Sequence, residues 1–361
     1  MTEDIGSAQR LAERTLALVD VPSVSRDEAA ITAYVAAQMP SALDVLHDDG
    51  ESMLYATPGP ADRPFVVLAG HLDTVPAQDN LPGRIEDGWV VGLGASDMKG
   101  GLAVMLELAR WLTEAAMLTE VSVGFLFFGR EELPLTESPL TALLEEAAAL
   151  ARADLAVVLE PTDNTIQAGC VGTVNATLTF HGESAHSARP WTGVNAITVA
   201  VEALGPIVSI PRRELVIDGL PFSEVLSVTR ISGGVADNVI PASVSCNVNY
   251  RFAPTRSRRE AEEELRALIG EAGQLEITSF SPAARVVSST PLVERLRAAG
   301  EFAVEPKQAW TPVAQFSEAG IDAVNLGPGA TAFAHRQDER IEVRELVRTF
   351  DALARFVAAG S

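Results

Sequence analysis

The chain has 361 residues, 47% of them hydrophobic, with 27 Lys and Arg against 49 Asp and Glu, a formal net charge of −22 and a pI near 4.6. That length can bury a sizeable core and suggests two domains, while the charge argues against nucleic acid or an anionic membrane as partner, since either would be repelled over a Debye length. The first residues carry neither a basic nor an apolar targeting region, no apolar run approaches the ~18 residues of a membrane span, and Cys170 and Cys246 are too few and too far apart for a disulfide framework or a CxxC site, so a cytoplasmic protein is expected.

In chain order, helical patterns cover residues 7–19 and 27–39, and a nearly continuous apolar run at 65–69 reads as a strand covered on both faces. A helix is expected over 99–118, a strand over 121–128, a helix over 136–152 and a strand over 155–159. The order then changes to strand (174–181), helix (194–204), strand (225–231), strand (244–252), helix (257–272) and strand (275–280), the β-α-β-β-α-β order of a ferredoxin-like module. Ser288–Thr290 reads as re-entry into the first domain, followed by a strand at 323–326 and a helix over 341–359. The fold class expected is α/β, with a largely parallel sheet flanked by helices over residues 1–171 and 287–361 and an inserted ferredoxin-like α+β domain over 172–286. Gly and Pro fall in turns, as in Gly205-Pro206 and Gly327-Pro328-Gly329.

The residues just beyond each apolar strand carry the chemistry. His71-Leu-Asp73 follows 65–69, and Gly94-Ala-Ser-Asp97-Met-Lys-Gly-Gly101 opens the next helix. Glu131-Glu132 follows 121–128, Glu160-Pro-Thr follows 155–159, and His335-Arg-Gln-Asp-Glu339 comes after 323–326. Open α/β sheets place ligands at the carboxyl ends of their strands, so these side chains should converge on one crevice.

Two imidazoles with several carboxylates form a ligand set suited to zinc, and two ions sharing a carboxylate can clamp both atoms of a hydrolysis. Asp97 is the natural bridge, leaving His71 and Glu160 for one ion and Glu132 with His335 for the other; cobalt or manganese could occupy similar sites. Glu131 would stay free to take a proton, and Asp73 is placed to accept the second ring N–H of His71. Singly, none of these residues is persuasive, because a lone His is usually a core or surface residue and a Glu-Glu pair is usually solvated. Two of only five histidines directly after apolar strands, beside three carboxylate motifs, are a different matter. His47 and His181 keep the ordinary reading. The glycines around Asp97 do not form GxGxxG, and an Asp in that turn would repel a pyrophosphate, which removes a dinucleotide site.

Together these motifs resemble the dinuclear-zinc M20 peptidase and deacylase family across essentially the whole chain. The resemblance implies a catalytic α/β domain, an inserted lid that dimerises, and a cis peptide at Asp97-Met98. It also implies the same ligand assignments, with Glu131 as general base. Within the family, Leu159-Glu-Pro-Thr-Asp163, Ala185-His-Ser-Ala-Arg-Pro190, Ala236-Asp-Asn-Val-Ile-Pro241 and Asn249-Tyr-Arg-Phe-Ala-Pro254 are most similar to the succinyl-diaminopimelate desuccinylase branch, which implies hydrolysis of a succinyl amide. His186 resembles the lid histidine that stabilises the oxyanion, often in the partner subunit. Asn238, Arg251, Arg189, Thr311 and Gly329 correspond to substrate contacts, with pairing at a strand end as the alternative for Arg251. Pro312 stands where relatives carry Asp, which bears on the Thr311 contact and not on the metals. The rivals are another M20 hydrolase, such as an acetylornithine deacetylase or dipeptidase, and a non-catalytic metal-bound binding protein, which would not need Glu131.

Overall fold

The computed structural model describes residues 5–60, 62–114 and 119–358, and the chain divides into two compact units. The first comprises Met1–Ala168, Val287–Glu305 and Gln315–Ser361, the second Gly169–Val286 and Pro306–Ala314.

The first unit is built on an eight-stranded sheet in the order Asp44–Asp48, Ser52–Ala56, Ser122–Phe128, Phe65–His71, Leu155–Val158, Ala323–Asn325, Ile166–Cys170, Val304–Lys307. The four apolar runs expected from the sequence are its inner strands and run parallel. Every residue of Phe65–His71 is buried, as suits a strand covered on both faces. The helix Gly100–Glu114 is buried over most of its length and packs with Ile5–Val19 and Val343–Val357. Its Leu102, Met105 and Leu106 join Leu68, Phe125 and Val157 in one core, where each large side chain contributes about 1.5–3 kcal/mol on burial.

Several expectations need correction. The helix expected over 99–118 is Gly100–Glu114, and residues 115–118 lie outside the described ones, as does residue 359. The stretch 136–152 is not one helix: short 3-10 turns at Leu135–Glu137 and Leu150–Arg152 flank the helix Pro139–Glu146. Pro139 starts a helix readily at its first position, and Glu145-Glu146 at its end oppose the helix dipole. The C-terminal helix begins at Val343, because Arg340–Glu342 pair as a strand with Trp89–Val91, which pairs in turn with Arg84–Glu86.

The second unit has a five-stranded antiparallel sheet in the order Arg213–Ile217, Leu220–Gly233, Ser243–Phe252, Gly172–His181, Gln274–Ser281. Without its first strand this is the ferredoxin-like arrangement. Val174, Ala176, Leu178 and Phe180 alternate inward and meet Ala196 and Ala200 of the helix Ala196–Val208 and Ala261 and Leu265 of the helix Arg258–Ile269. The Asn195 side chain caps the former by accepting from Ile197 N at 2.9 Å. That helix runs through Gly205-Pro206, expected as a turn; in an exposed last turn water can serve the carbonyl that Pro206 leaves unpaired. The extra strand Arg213–Ile217 is joined to Leu220–Gly233 by Asp218-Gly219, both with positive φ, a type I′ signal.

No helix among the described residues is long and apolar enough to cross a membrane. Lys99 and Lys307, the sequence's two lysines, are both buried. Lys99 Nζ donates to the carbonyls of Val19 and Val21 at 3.3 and 3.0 Å, and burial pushes its ammonium down to about 8.

Candidate metal centre

His71, Glu131, Glu132 and Glu160 sit where a buried strand gives way to a turn, and Asp97 and His335 lie on turns of their own. His71 ends Phe65–His71; Glu131 and Glu132 follow Ser122–Phe128 through Arg130, whose φ is 58°. Glu160 follows Leu155–Val158, and Asp97 lies in the turn Ala95–Lys99 that opens the helix Gly100–Glu114. The Asp97-Met98 peptide is cis, as the family resemblance implies. His335 follows the turn Thr331–Phe333. Two close approaches draw these segments together: a Cβ on Gly101 would lie 2.5 Å, and one on Gly327 2.4 Å, from the carbonyl oxygen of Leu159, so only glycine fits at either place.

The two carboxylate oxygens of Asp97 face different histidines. Oδ1 lies 3.1 Å from His71 Nε2, and Oδ2 lies 3.4 Å from His335 Nε2. Glu160 Oε1 is 3.9 Å from His71 Nε2, whereas Glu132 Oε1 is 2.8 Å from His335 Nε2. Ligand atoms of His71, Asp97 and Glu160 lie within 4.8 Å of one another, as do those of Asp97, Glu132 and His335, and a further grouping joins His71 with Glu131 and Glu132. The side chain of His71 is fully buried, while that of His335 is 49% exposed.

Two further carboxylates hold these turns. Asp73 accepts from the main-chain N–H of Glu131 at 2.9 Å, from that of Glu132 at 3.1 Å and from Ser25 Oγ at 2.8 Å. The Nδ1 of His71 is 3.0 Å from the Asp73 main-chain oxygen and 3.6 Å from its carboxylate. The expected imidazole partner is thus chiefly the Asp73 carbonyl, and the carboxylate mainly fixes the Glu131-Glu132 turn. Glu339 accepts from Ser96 N and Asp97 N on one oxygen and from Gly94 N on the other, each at 3.0 Å. Neither clamping contact was legible from spacing, although Glu339 stands in the His335 motif.

Electrostatics mark the cluster as crowded with negative charge. Burial, followed by the charge of Glu160, pushes the Glu131 carboxyl well above its ordinary value. Burial likewise takes Glu339 up to about 7 despite its three N–H donors. Burial acts to lower His71, but the neighbouring carboxylates of Asp73 and Asp97 hold its imidazolium well above the usual range. Hydrogen bonds to Asp97 and Glu132 take His335 up to about 10. Burial acts to raise Asp97, yet the two histidines hold its carboxyl well below normal. Two imidazoles cannot offset this many buried carboxyl groups, whereas dications can, and the mixed nitrogen and oxygen donors are those a borderline dication takes.

Residues 67–359 match the family model described as Peptidase family M20/M25/M40. The chain belongs to that family. It is 38% identical over 349 residues, 96% of this chain and 97% of the relative, to a putative succinyl-diaminopimelate desuccinylase DapE of Mycobacterium tuberculosis. It is 34% identical to the succinyl-diaminopimelate desuccinylase of Corynebacterium glutamicum, over 95% of each chain. Among solved structures, the aminopeptidase PepT of Bacillus cereus superposes with a TM-score of 0.78 at 22% identity, covering 97% of this chain and 98% of that one. The Bacillus subtilis YXEP protein, a dinuclear metal binding peptidase from the M20 family, gives a TM-score of 0.72 at 15% identity over 98% of each chain. These two likenesses establish a shared M20 fold.

The remaining M20-type candidates lie partly in the second unit. His186 and Asn238 are brought together by the pairing of Ala185–His186 with Val239–Ile240 and by Ser187 N donating to Asn238 O at 2.9 Å. Arg189 N donates to His186 O at 2.8 Å, and all three residues are exposed. Arg251 is elsewhere on that unit's sheet, half-buried, with Nε donating to Asn249 Oδ1 at 3.1 Å and Nη1 to Thr173 Oγ1 at 2.6 Å. It is therefore paired at its strand end, the alternative the sequence left open. Thr311 is buried beside Cys170 in the stretch Pro306–Ala314 that packs with the second unit, and its hydroxyl has no hydrogen-bond partner among the described residues. Gly329, in the first unit, has φ of 83°, and a Cβ there would meet Ser96 Oγ at 2.7 Å. His47 pairs with Asp49 at 3.2 Å, and His181 with Gln274 at 3.0 Å, outside the cluster.

Proposed function

We propose that the protein is a metal-dependent amidohydrolase that converts N-succinyl-LL-2,6-diaminopimelate to succinate and LL-2,6-diaminopimelate, a step of lysine and diaminopimelate formation. The observation that carries the reading is the division of Asp97 between His71 and His335. It supports two dications, zinc with cobalt or manganese as substitutes, held by His71, Asp97 and Glu160 and by Asp97, Glu132 and His335. The substrate is supported by near full-length similarity to the desuccinylases of M. tuberculosis and C. glutamicum.

When bound, such dications supply Lewis acidity and lower the pKa of water from 15.7 toward about 7. The chain's own residues do the rest. Glu131, left outside both sets of proposed ligands, takes a proton from the attacking water and returns it to the leaving amine. Asp73 keeps Glu131 and Glu132 in register through their main-chain N–H groups. His186 donates to the developing oxyanion, and Asn238, Arg251, Arg189, Thr311 and Gly329 supply substrate contacts. Arg251 would do so with whatever N–H groups Asn249 and Thr173 leave free.

The second unit acts as lid and dimerisation domain of a cytoplasmic homodimer. Its helix Ala196–Val208 supports this with an exposed apolar stripe of Ile197, Val201 and Val208, 45%, 67% and 62% exposed. Val201→Asp is expected to shift the mass measured by analytical ultracentrifugation from dimer to monomer; a monomeric parent protein removes the dimer.

The deciding experiment is turnover of N-succinyl-LL-2,6-diaminopimelate, N-acetylornithine and simple dipeptides by zinc-loaded protein. Preference for the succinyl substrate supports the reading, and preference for another member of the panel reassigns the specificity. Two bound zincs with no turnover of any member would leave a binding protein and overturn the hydrolase.

A further inference from the structure

Glu339 is 1% exposed and touches the candidate centre without belonging to the proposed ligand set. Its carboxylate collects three main-chain N–H groups, those of Gly94, Ser96 and Asp97. Its own carbonyl accepts from Gly92 N at 3.0 Å. These donors lie on the turn that presents Asp97 or on the residues leading into it, so four hydrogen bonds tie the start of that turn to one residue. Four positions earlier on the same short loop stands His335, whose carbonyl accepts from Gln78 Nε2 at 3.0 Å and whose neighbour Arg336 accepts from Asn80 Nδ2 at 3.3 Å.

We propose that Glu339 is a positioning residue that fixes the Asp97 carboxylate relative to His335, and so sets the affinity and coordination geometry of the dication those two residues share. This rests on the metal-dependent function proposed for the chain. The physical case is one of rigidity. A bridging carboxylate works only if both oxygens are aimed at once, and the turn bearing it is irregular, with Asp97 at φ −121° and ψ 93° and Met98 at φ −130° and ψ 37° breaking the helical stretch. The N–H groups at the start of such a turn have no carbonyl of a preceding turn to bond. A buried acceptor with two oxygens can hold three of them, which no neutral side chain of similar size can do. Because the clamp and His335 share a loop, a shift of one moves the other.

The test compares Glu339→Gln and Glu339→Ala with the parent protein. The glutamine keeps one acceptor oxygen and turns an NH2 group toward at least one donor; the alanine keeps neither oxygen. Each protein is stripped with chelator and titrated with cobalt(II) chloride, following the visible absorption of the bound ion and the stoichiometry. Expected is a weakening of one of the two sites by about 10–100-fold in the alanine variant, with an altered cobalt spectrum and an intermediate effect for glutamine. Turnover should fall in kcat with KM near the parent value. A merely structural residue would lower Tm and leave both affinities and the spectrum alone, and that outcome in an active parent with two ions overturns the role of Glu339 without touching the hydrolase reading. A parent that binds fewer than two ions overturns both. Should the alanine variant fail to fold, the glutamine variant carries the same comparison.

Discussion

Replacing Asp73 with Asn removes one carboxylate oxygen from a buried position that accepts three hydrogen bonds, from Glu131 N, Glu132 N and Ser25 Oγ at 2.9, 3.1 and 2.8 Å. Hydrogen bonds to a charged acceptor contribute about 1.5–3 kcal/mol each, so the gross loss is of the order of several kcal/mol. The amide keeps one acceptor oxygen and no longer requires a buried charge, which offsets part of that and leaves about 2–4 kcal/mol. At roughly 2–4 °C per kcal/mol the expected fall in Tm is about 4–16 °C. The functional effect is separate, because the bonds lost are those that hold Glu131 and Glu132: kcat is expected to fall about 10–100-fold, with metal content measured alongside. Steady-state kinetics on zinc-loaded protein, with thermal melts of the same preparations, provide the comparison. An Asn variant with parental kcat would show that the Glu131-Glu132 turn holds itself, and the role given to Asp73 would fail.

Glu131→Gln is expected to retain both dications by elemental analysis while losing several orders of magnitude in kcat, of the size general-base removal produces; substantial turnover in a metal-replete variant would displace Glu131. Gly327→Ala should be strongly destabilising in thermal melts, because its Cβ would sit 2.4 Å from Leu159 O and 2.5 Å from Glu160 O, main-chain atoms that cannot swing aside. Glu107, fully buried, accepts from Arg10 at 2.9 Å and from Arg110 at 2.6 Å, and although burial acts to raise it, the Arg110 and Arg10 hydrogen bonds leave its carboxyl below its ordinary value near 4.5. Its contribution is therefore present above that value and lost as pH falls through the lower folded one. Glu107→Gln should cost about 1–3 kcal/mol in urea denaturation near neutral pH, a gap that closes as acidification carries the pH below the lowered folded value; a gap independent of pH would contradict the assignment.

What the sequence made legible was what burial on both faces writes plainly. The four inner parallel strands are nearly unbroken apolar runs, and each ends at a His or a carboxylate or in a glycine turn. The edge strand Asp44–Asp48 is mostly exposed and polar, so no run marks it, and Arg84–Glu86 is exposed throughout. The strand Arg213–Ile217 announced itself only through Asp218-Gly219, a signal of two residues. At the site, residue types and order placed the ligand set, since chemistry restricts which side chains can serve. The work of Asp73 and Glu339 was hidden because their partners are main-chain N–H groups, which every residue has and no sequence pattern displays. Pro306–Ala314 packing with the second unit was hidden for a related reason: its association depends on long-range contacts and not on local pattern.

The burial of Lys99 and Lys307 has a consequence for how the surface behaves in solution. Among the described residues every exposed permanent cation is a guanidinium, which holds its proton beyond the range where ammonium groups release theirs. Between about pH 9 and 11 a lysine-rich surface would shed positive charge and drift further from neutrality, whereas this one keeps its balance of charges nearly fixed. Amine-directed labels and cross-linkers would likewise find no side chain to react with on the described surface, so attachment to the folded protein has to be designed through other chemistry.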